Sequence, residues 1–400
     1  MRKHLLFLIL IATSLFRNEC SSQVWQPLNN YPATGRDDGS VFVIGNYAYC
    51  GLGNAAGFGP SSDFYRFDIA SQLWSNYTVT PLPAIGRQYC SSFSYSQYGY
   101  ILGGADANWQ ASNLVWRYDT VSNSWSQKTS IPDSVQGSVC FFINNKAFLC
   151  GGRDRNNACT GKVWQYDPVT DTWLQKNYMP KGGRWRASGT ALNNKGYLLF
   201  GADSSGHFSN KLFEYDPIPD TWTMIDSFPG IGRTYASAFN ANNQLTFAFG
   251  IDSANVVYND CHFYNPSLHQ WQTGAPLPSF GRKGCMPFSS GISIFITAGI
   301  DGSSNRLVQT WMAGLNNSVK NYENSNAYLQ VFPIPASNKL NIYCSDLKVS
   351  DVIEIFDATG KTLRKFLNPV PARTELDISD LPAGMYFVKV RDHVSKIVKE

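Results

Sequence analysis

Five arginines follow glycines at regular distances along the chain: Arg36, Arg87, Arg184, Arg233 and Arg282. Five aspartates, Asp106, Asp154, Asp203, Asp252 and Asp301, stand two residues beyond a glycine. A guanidinium offers a planar fork of donors that fits a carboxylate. The two sets can therefore lock onto each other, or surplus guanidiniums can hold an anionic or sugar-like ligand. Trp109, Trp185, Arg186, His207 and Phe208 fall in the same stretches, and Arg153 adjoins Asp154. Aromatic faces beside hydrogen-bonding groups are what saccharide or peptide recognition uses. The candidate ligand-binding set is Arg36, Arg87, Arg153, Arg184, Arg186, Arg233, Arg282, Asp106, Asp203, Asp252, Asp301, Trp109 and Trp185. A carboxylate with an arginine can also move protons on a sugar, but many such pairs occur and none is singled out as catalytic. Only His207, His262, His269 and His393 lie beyond the first few residues, too dispersed for a three-ligand metal site. No nucleophile elbow, phosphate loop or HExxH motif occurs, the aspartate loops lack a full calcium-loop pattern, and no cofactor is expected.

The elements that position these residues repeat. Trp25, Trp74, Trp125, Trp173, Trp222 and Trp271 are spaced 49, 51, 48, 49 and 49 apart. Asp68, Asp119, Asp167, Asp216 and Asn265 each stand six residues before a tryptophan, and each follows an aromatic. Gly51, Gly103, Gly151, Gly201, Gly250 and Gly299 each end an apolar run. A period near fifty built of short apolar runs and turn residues predicts one supersecondary unit per repeat. In the fourth unit, 187–192 and 196–200 flank Asn193-Asn194-Lys195, a hairpin signal. Residues 212–216 and 221–225 are the third and fourth strands.

This pattern resembles the kelch repeat of β-propellers over residues 24 to 315, although only Gly103-Gly104 and Gly151-Gly152 are true glycine pairs and Val135-Gln136-Gly137 replaces one Gly-Arg. The expectation is all-β: a six-bladed kelch β-propeller followed by a small Ig-like β-sandwich. Five blades end in their own tryptophan strand, and the sixth, beginning near Arg282, borrows residues 24–28 to close the ring. Successive strands reverse direction, so the loop before the first strand and the loop after the second share a face. That places the arginines and aspartates together near the axis. Some propellers of this kind are sugar-converting enzymes, so a sialic-acid-type epimerase or mutarotase is the alternative to a protein- or glycan-binding module.

Charged residues make up 16% of the chain and the net charge is +4, so neither a disordered tail nor a concentrated basic face for nucleic acid is expected. Arg2, Lys3 and His4 precede the apolar run 5–16, which is too short to span a bilayer and reads as a signal peptide over 1–22, cleaved after Ser22. No transmembrane segment follows. Nine cysteines, one of them Cys20 in the leader, are too few for a disulfide scaffold, and buried thiols are the preferred reading.

Residues 316–328 are Asn-rich and aperiodic, a linker. Beyond them 329–332, 339–344, 352–357, 362–366, 375–378, 384–391 and 394–398 read as strands. This segment, 329–400, is similar to the C-terminal sorting domain of the type IX secretion system. The resemblance rests on Val331-Phe332-Pro333-Ile334-Pro335-Ala336, Ile355-Phe356-Asp357-Ala358-Thr359-Gly360-Lys361 and Leu381-Pro382-Ala383-Gly384-Met385-Tyr386. It implies Pro333, Pro335, Gly360, Gly384, Lys396 and Lys399 as the sorting signal. It further implies outer-membrane type IX machinery as a partner, and a secreted or surface-attached protein that passes through the periplasm.

Overall fold

The computed structural model describes residues 24–57, 59–291, 293–314, 329–332, 336–344, 351–357, 360–367, 373–391 and 393–400. The expected signal peptide and linker lie outside the described residues, as do Pro333 and Pro335. The chain divides into two compact units, Met1–Val319 and Lys320–Glu400. Every regular element among the described residues is a strand.

In the first unit the strands form four-stranded antiparallel sheets in chain order. The first holds Ser40–Ile44, Tyr47–Gly51, Phe64–Asp68 and Leu73–Trp74. The second holds Ser91–Tyr95, Tyr98–Leu102, Val115–Asp119 and Ser124–Lys128. The third holds Val139–Ile143, Lys146–Cys150, Val163–Asp167 and Thr172–Lys176. The fourth holds Ser188–Leu192, Lys195–Leu199, Lys211–Asp216 and Thr221–Ser227. The fifth holds Ser237–Ala241, Gln244–Ala248, Cys261–Asn265 and Gln270–Thr273. The last holds Met286–Ser290, Ser293–Thr297 and Thr310–Gly314, and its outer strand is Val24–Leu28 from the other end of the chain. There Trp25 pairs with Ala313 and Pro27 with Trp311. The leading strand of each sheet touches that of the next, and the leading strand of the last touches that of the first.

The repeat residues have local jobs. Asn144-Asn145, Asn193-Asn194 and Asn242-Asn243 take positive φ at both positions, the tight turn that fits a twisted hairpin. Asp119, Asp167 and Asp216 accept the amide of the residue two further on and so cap the turn into the fourth strand. The aromatic before each of these residues is fully buried and packs on the repeat tryptophan, as in Tyr166–Trp173 and Tyr215–Trp222, both at 4.7 Å between centroids. Such pairs contribute roughly 1 kcal/mol each beyond simple burial. Four of the tryptophans donate their indole N–H to a carbonyl outside their own sheet: Trp25 to Ala275, Trp74 to Asn29, Trp125 to Thr80 and Trp173 to Thr129. That bond ties the outer edge of one sheet to the segment arriving from the preceding sheet.

The second unit contains a three-stranded and a four-stranded antiparallel sheet. Val331, Leu340, Ile342 and Leu376 from one meet Ile353, Ile355, Val388, Val390 and Ile397 from the other in a single apolar core. The alternation of Ile397, exposed Val398 and buried Lys399 is the two-residue period of a strand with one face covered.

Candidate binding site on the ring axis

The arginines that follow glycine do not line an open mouth. Arg36, Arg87, Arg184, Arg233 and Arg282 are all buried, with Arg36 1% and Arg282 0% exposed. Arg36, Arg184, Arg233 and Arg282 each donate to the carbonyl 16 residues further on, those of Leu52, Phe200, Phe249 and Ala298. Arg36 also grips Asp63 and Arg233 grips Asp260 through both terminal nitrogens, while Arg282 donates to Gln309. These partners lie 27 residues further on, in the loop before the third strand. Leu114 and Lys211 occupy the matching places after Arg87 and Arg184. Arg184 is accordingly pulled down to about 10 by burial, which the charge of Asp203 only partly offsets. For Asp260 burial acts upward. Hydrogen bonds from His262 and Arg233, with the charge of Arg233, outweigh it and hold the carboxyl at about 2.

The aspartates do not pair with these arginines either. Oδ1 of Asp106, Asp154, Asp203, Asp252 and Asp301 each accepts the amides two and four residues on, closing its own loop. Tyr258 and Asn305 take the second oxygens of Asp252 and Asp301. The expected cross-pairing fails because backbone amides inside a five-residue loop lie closer to a short carboxylate than any neighbouring guanidinium does.

Two residues beyond each of these arginines the chain does something else. Asp38, Tyr89, Arg186, Tyr235 and Gly284, with Gly137 from the repeat that lacks its arginine, all have φ between 53° and 64°. Their backbones form a closed circuit of hydrogen bonds. The amides of Asp38, Tyr89, Gly137, Arg186, Tyr235 and Gly284 donate to the carbonyls of Gly284, Asp38, Tyr89, Gly137, Arg186 and Tyr235 at 2.8–3.2 Å. Following this circuit, Tyr89 faces Tyr235, Asp38 faces Arg186, and the two glycines face each other. Gly284 is needed for space as well as for its φ, because a Cβ there would sit 2.6 Å from Asp38 Oδ1.

The four side chains meet on the axis. The tyrosine hydroxyls are 3.4 Å apart, and Arg186 donates to Tyr89 Oη at 2.8 Å. With Cys90, Ser138, Ser237 and Cys285 they line a cavity of about 150 Å³. The Asp38 carboxyl is pushed well above the usual range by burial and by Asp37, against the pull of Arg186 and of Tyr89's hydroxyl. Burial lowers Arg186 to about 10, and raises the Cys90 and Cys285 thiols to about 12. Seven cysteines among the described residues are free thiols.

Around this plug stand the aromatic and cationic residues singled out by sequence. Trp185 is buried, and the guanidinium carbons of both Arg186 and Arg153 lie 3.5 Å from its ring centroid. Two guanidiniums that close to one centroid must occupy opposite faces of the indole, roughly 7 Å apart, where like charges repel by about 2 kcal/mol at an effective dielectric near 20. Neither has a carboxylate within 4 Å among the described residues, whereas Arg306 pairs with Asp37 at 2.6 Å. Lys283 approaches the Tyr235 ring at 5.1 Å. Trp109 is 48% exposed, 5.6 Å from the Tyr89 ring, and its carbonyl receives Gln136 Nε2. His207 is solvent-exposed.

Trp109, Arg153, Trp185 and Arg186 are thus the sequence candidates that the fold gathers. Asp38, Tyr89, Tyr235 and Lys283 were missed. Their signal was present: aligning the repeats on Gly-Arg and reading two places beyond the arginine returns Asp38, Tyr89, Arg186, Tyr235 and Gly284.

In the second unit Gly360 has φ 86° and turns the chain between Asp357 and Lys361. Gly384 opens the strand Gly384–Val390 opposite Lys399. The side chain of Lys396 lies outside the described residues. Lys399 is 7% exposed, with Nζ on the Glu400 carbonyl, so it is not displayed for a first contact.

A family model for the Attractin/LZTR1 β-propeller matches residues 15–308. The chain belongs to that propeller family. A second model, the secretion system C-terminal sorting domain, matches residues 330–400 and implies export by the type IX system to the cell surface or beyond. Kelch domain-containing protein 3 of Homo sapiens is 27% identical over 127 residues, covering 29% of this chain and 33% of that protein. Its Mus musculus counterpart is 30% identical over 105 residues, covering 24% and 28%. The chain therefore spans about a third of the length of these curated relatives. The solved structure of YjhT superimposes with a TM-score of 0.64 at 19% identity, covering 71% of this chain and 95% of that one, a likeness of fold.

Proposed function

We propose that this protein is a secreted or surface-attached six-bladed propeller that binds a glycan or protein ligand on the face around the axial plug. The C-terminal domain, a small Ig-like sandwich, hands it to the outer-membrane type IX machinery. The six-blade count is supported by the six-membered circuit of backbone hydrogen bonds and by the pairing of Val24–Leu28 with Thr310–Gly314. The sandwich is supported by the core shared between the two small sheets. The observation that carries the binding role is the exposed Trp109 beside Arg153 and Arg186, which have no carboxylate within 4 Å among the described residues. At Arg36, Arg184, Arg233 and Arg282 the fold supplies an acceptor, so Arg153, which lacks a carboxylate within 4 Å among the described residues, marks a surface kept for something else.

A glycan, metabolite and peptide array probed with the mature full chain tests this. Saturable binding abolished by Trp109→Asn is expected, asparagine being chosen because position 109 has φ 60°. Binding indifferent to that change removes the reading. Deleting residues 391–400 should leave the protein in the periplasm, and normal secretion of the truncation contradicts the sorting role.

One observation favours an enzyme on carbohydrate as a second reading: the buried Asp38 carboxyl sits with Tyr89 and Arg186 as a proton carrier would. Sugar turnover that disappears in Asp38→Asn, with folding intact, would establish it.

A further inference from the structure

We infer that the ligand of this face is an acidic saccharide, its anionic group bound at Arg153 and its sugar ring laid on Trp109; the inference rests on the binding role proposed above and narrows it to a chemical class. Three features converge. Arg153 and Arg186 flank one indole, each 3.5 Å from its centroid, with no carboxylate within 4 Å among the described residues. The nearest acid on the plug, Asp38, is pushed by burial toward its neutral form, and Asp37 is occupied by Arg306, so neither cancels the positive charge. An anion arriving from solvent at Arg153 offsets the repulsion between the guanidiniums and gains charge-assisted hydrogen bonds from Arg153.

The shape of the surroundings selects the rest of the ligand. Trp109 comes from the loop after the second sheet's second strand, Arg153 from the equivalent loop of the third sheet, and Trp185 with Arg186 from the strand approach of the fourth. Gln136 bridges the first two: its Nε2 reaches the Trp109 carbonyl while its backbone pairs with Arg153. An exposed indole face next to polar donors suits the apolar face of a pyranose ring. Tyr89, Tyr235 and Arg186 fill the axis, so the ligand lies across the face and does not thread the ring. A carboxylate and a sulfate offer the same recognition chemistry here, and the experiment separates them.

The test uses the mature full chain and three trisaccharides of similar size: a uronate, a sulfated sugar and a neutral sugar, titrated calorimetrically at low and high salt. The uronate or the sulfated sugar should bind, the neutral one should bind at least ten-fold more weakly, and salt should narrow the gap. Arg153→Gln should weaken the acidic ligand about ten-fold, the equivalent of one lost charge-assisted hydrogen bond, with Arg153→Lys in between. Melting curves of each variant, unchanged from the parent, separate ligand loss from misfolding. Equal affinity for neutral and acidic sugars, an unaffected Arg153→Gln, or binding of peptides alone overturns the inference. In those cases Trp109-dependent binding would leave the broader reading standing, and its loss would bring down both.

Discussion

Arg233 stands before the first strand of the fifth sheet and Arg153 after the second strand of the third, and the fold uses them in opposite ways. Arg233 is buried, holds Asp260 through two nitrogens and the Phe249 carbonyl through one of them, and belongs to the scaffold. Arg153 is partly exposed, stacks on Trp185, and has no carboxylate partner among the described residues. Residue type alone does not distinguish a strut from a ligand contact. What distinguishes them is whether the fold supplies the acceptor. Where it does, removing the arginine takes the guanidinium partner from a partly buried carboxylate. Where it does not, removal costs the protein little and the ligand much.

The comparison is sharpest in stability. Arg233→Ala should destabilise the propeller by about 3 kcal/mol in chemical denaturation, since it strands Asp260 and a buried carbonyl. A cost under about 1 kcal/mol would erase the distinction. Acid should expose the same pair. Asp260 has its carboxyl lowered from 3.8 to about 2 in the folded state, so its contribution is present above the unfolded value and is lost as pH falls through the folded one. The wild type should therefore lose about 2 kcal/mol more than Asp260→Asn between about pH 5 and about pH 2. Arg87 is the intermediate case, buried like Arg233 but with Leu114 in place of the acid and its Nε without an acceptor. Arg87→Met should change stability by no more than about 1 kcal/mol in either direction, because a desolvated charge is exchanged for an apolar chain of similar volume. The smallest effect belongs to Arg153→Gln, within about 0.5 kcal/mol of the parent by denaturation. A large loss there would make Arg153 a strut after all.

Much of the scaffold was legible. The tryptophan period located every four-stranded sheet of the first unit, and the seven strands read in the second agree with those observed to within two residues at either end. Each marker acts locally, an asparagine pair bending a hairpin or an aspartate capping its own turn, so it leaves the same trace in every repeat. Arg233 and Arg282 do stand opposite Asp252 and Asp301 in register, but the expected pairing of their side chains failed for the same reason. Asp203 finds the amides of Ser205 and His207 before any guanidinium can reach it. Asp38, Tyr89 and Tyr235 were overlooked because the plug positions share a backbone conformation but not one residue type.

By itself the sequence determined the repeat, the strand alternation, and the turn chemistry, because these depend on neighbours within a few residues. Only the tertiary structure decided which arginines are buried against an acceptor and which four side chains converge on the axis. Those contacts join residues as many as 146 positions apart, as Tyr89 and Tyr235 are, and no local energy term links them until the ring of sheets has brought them together.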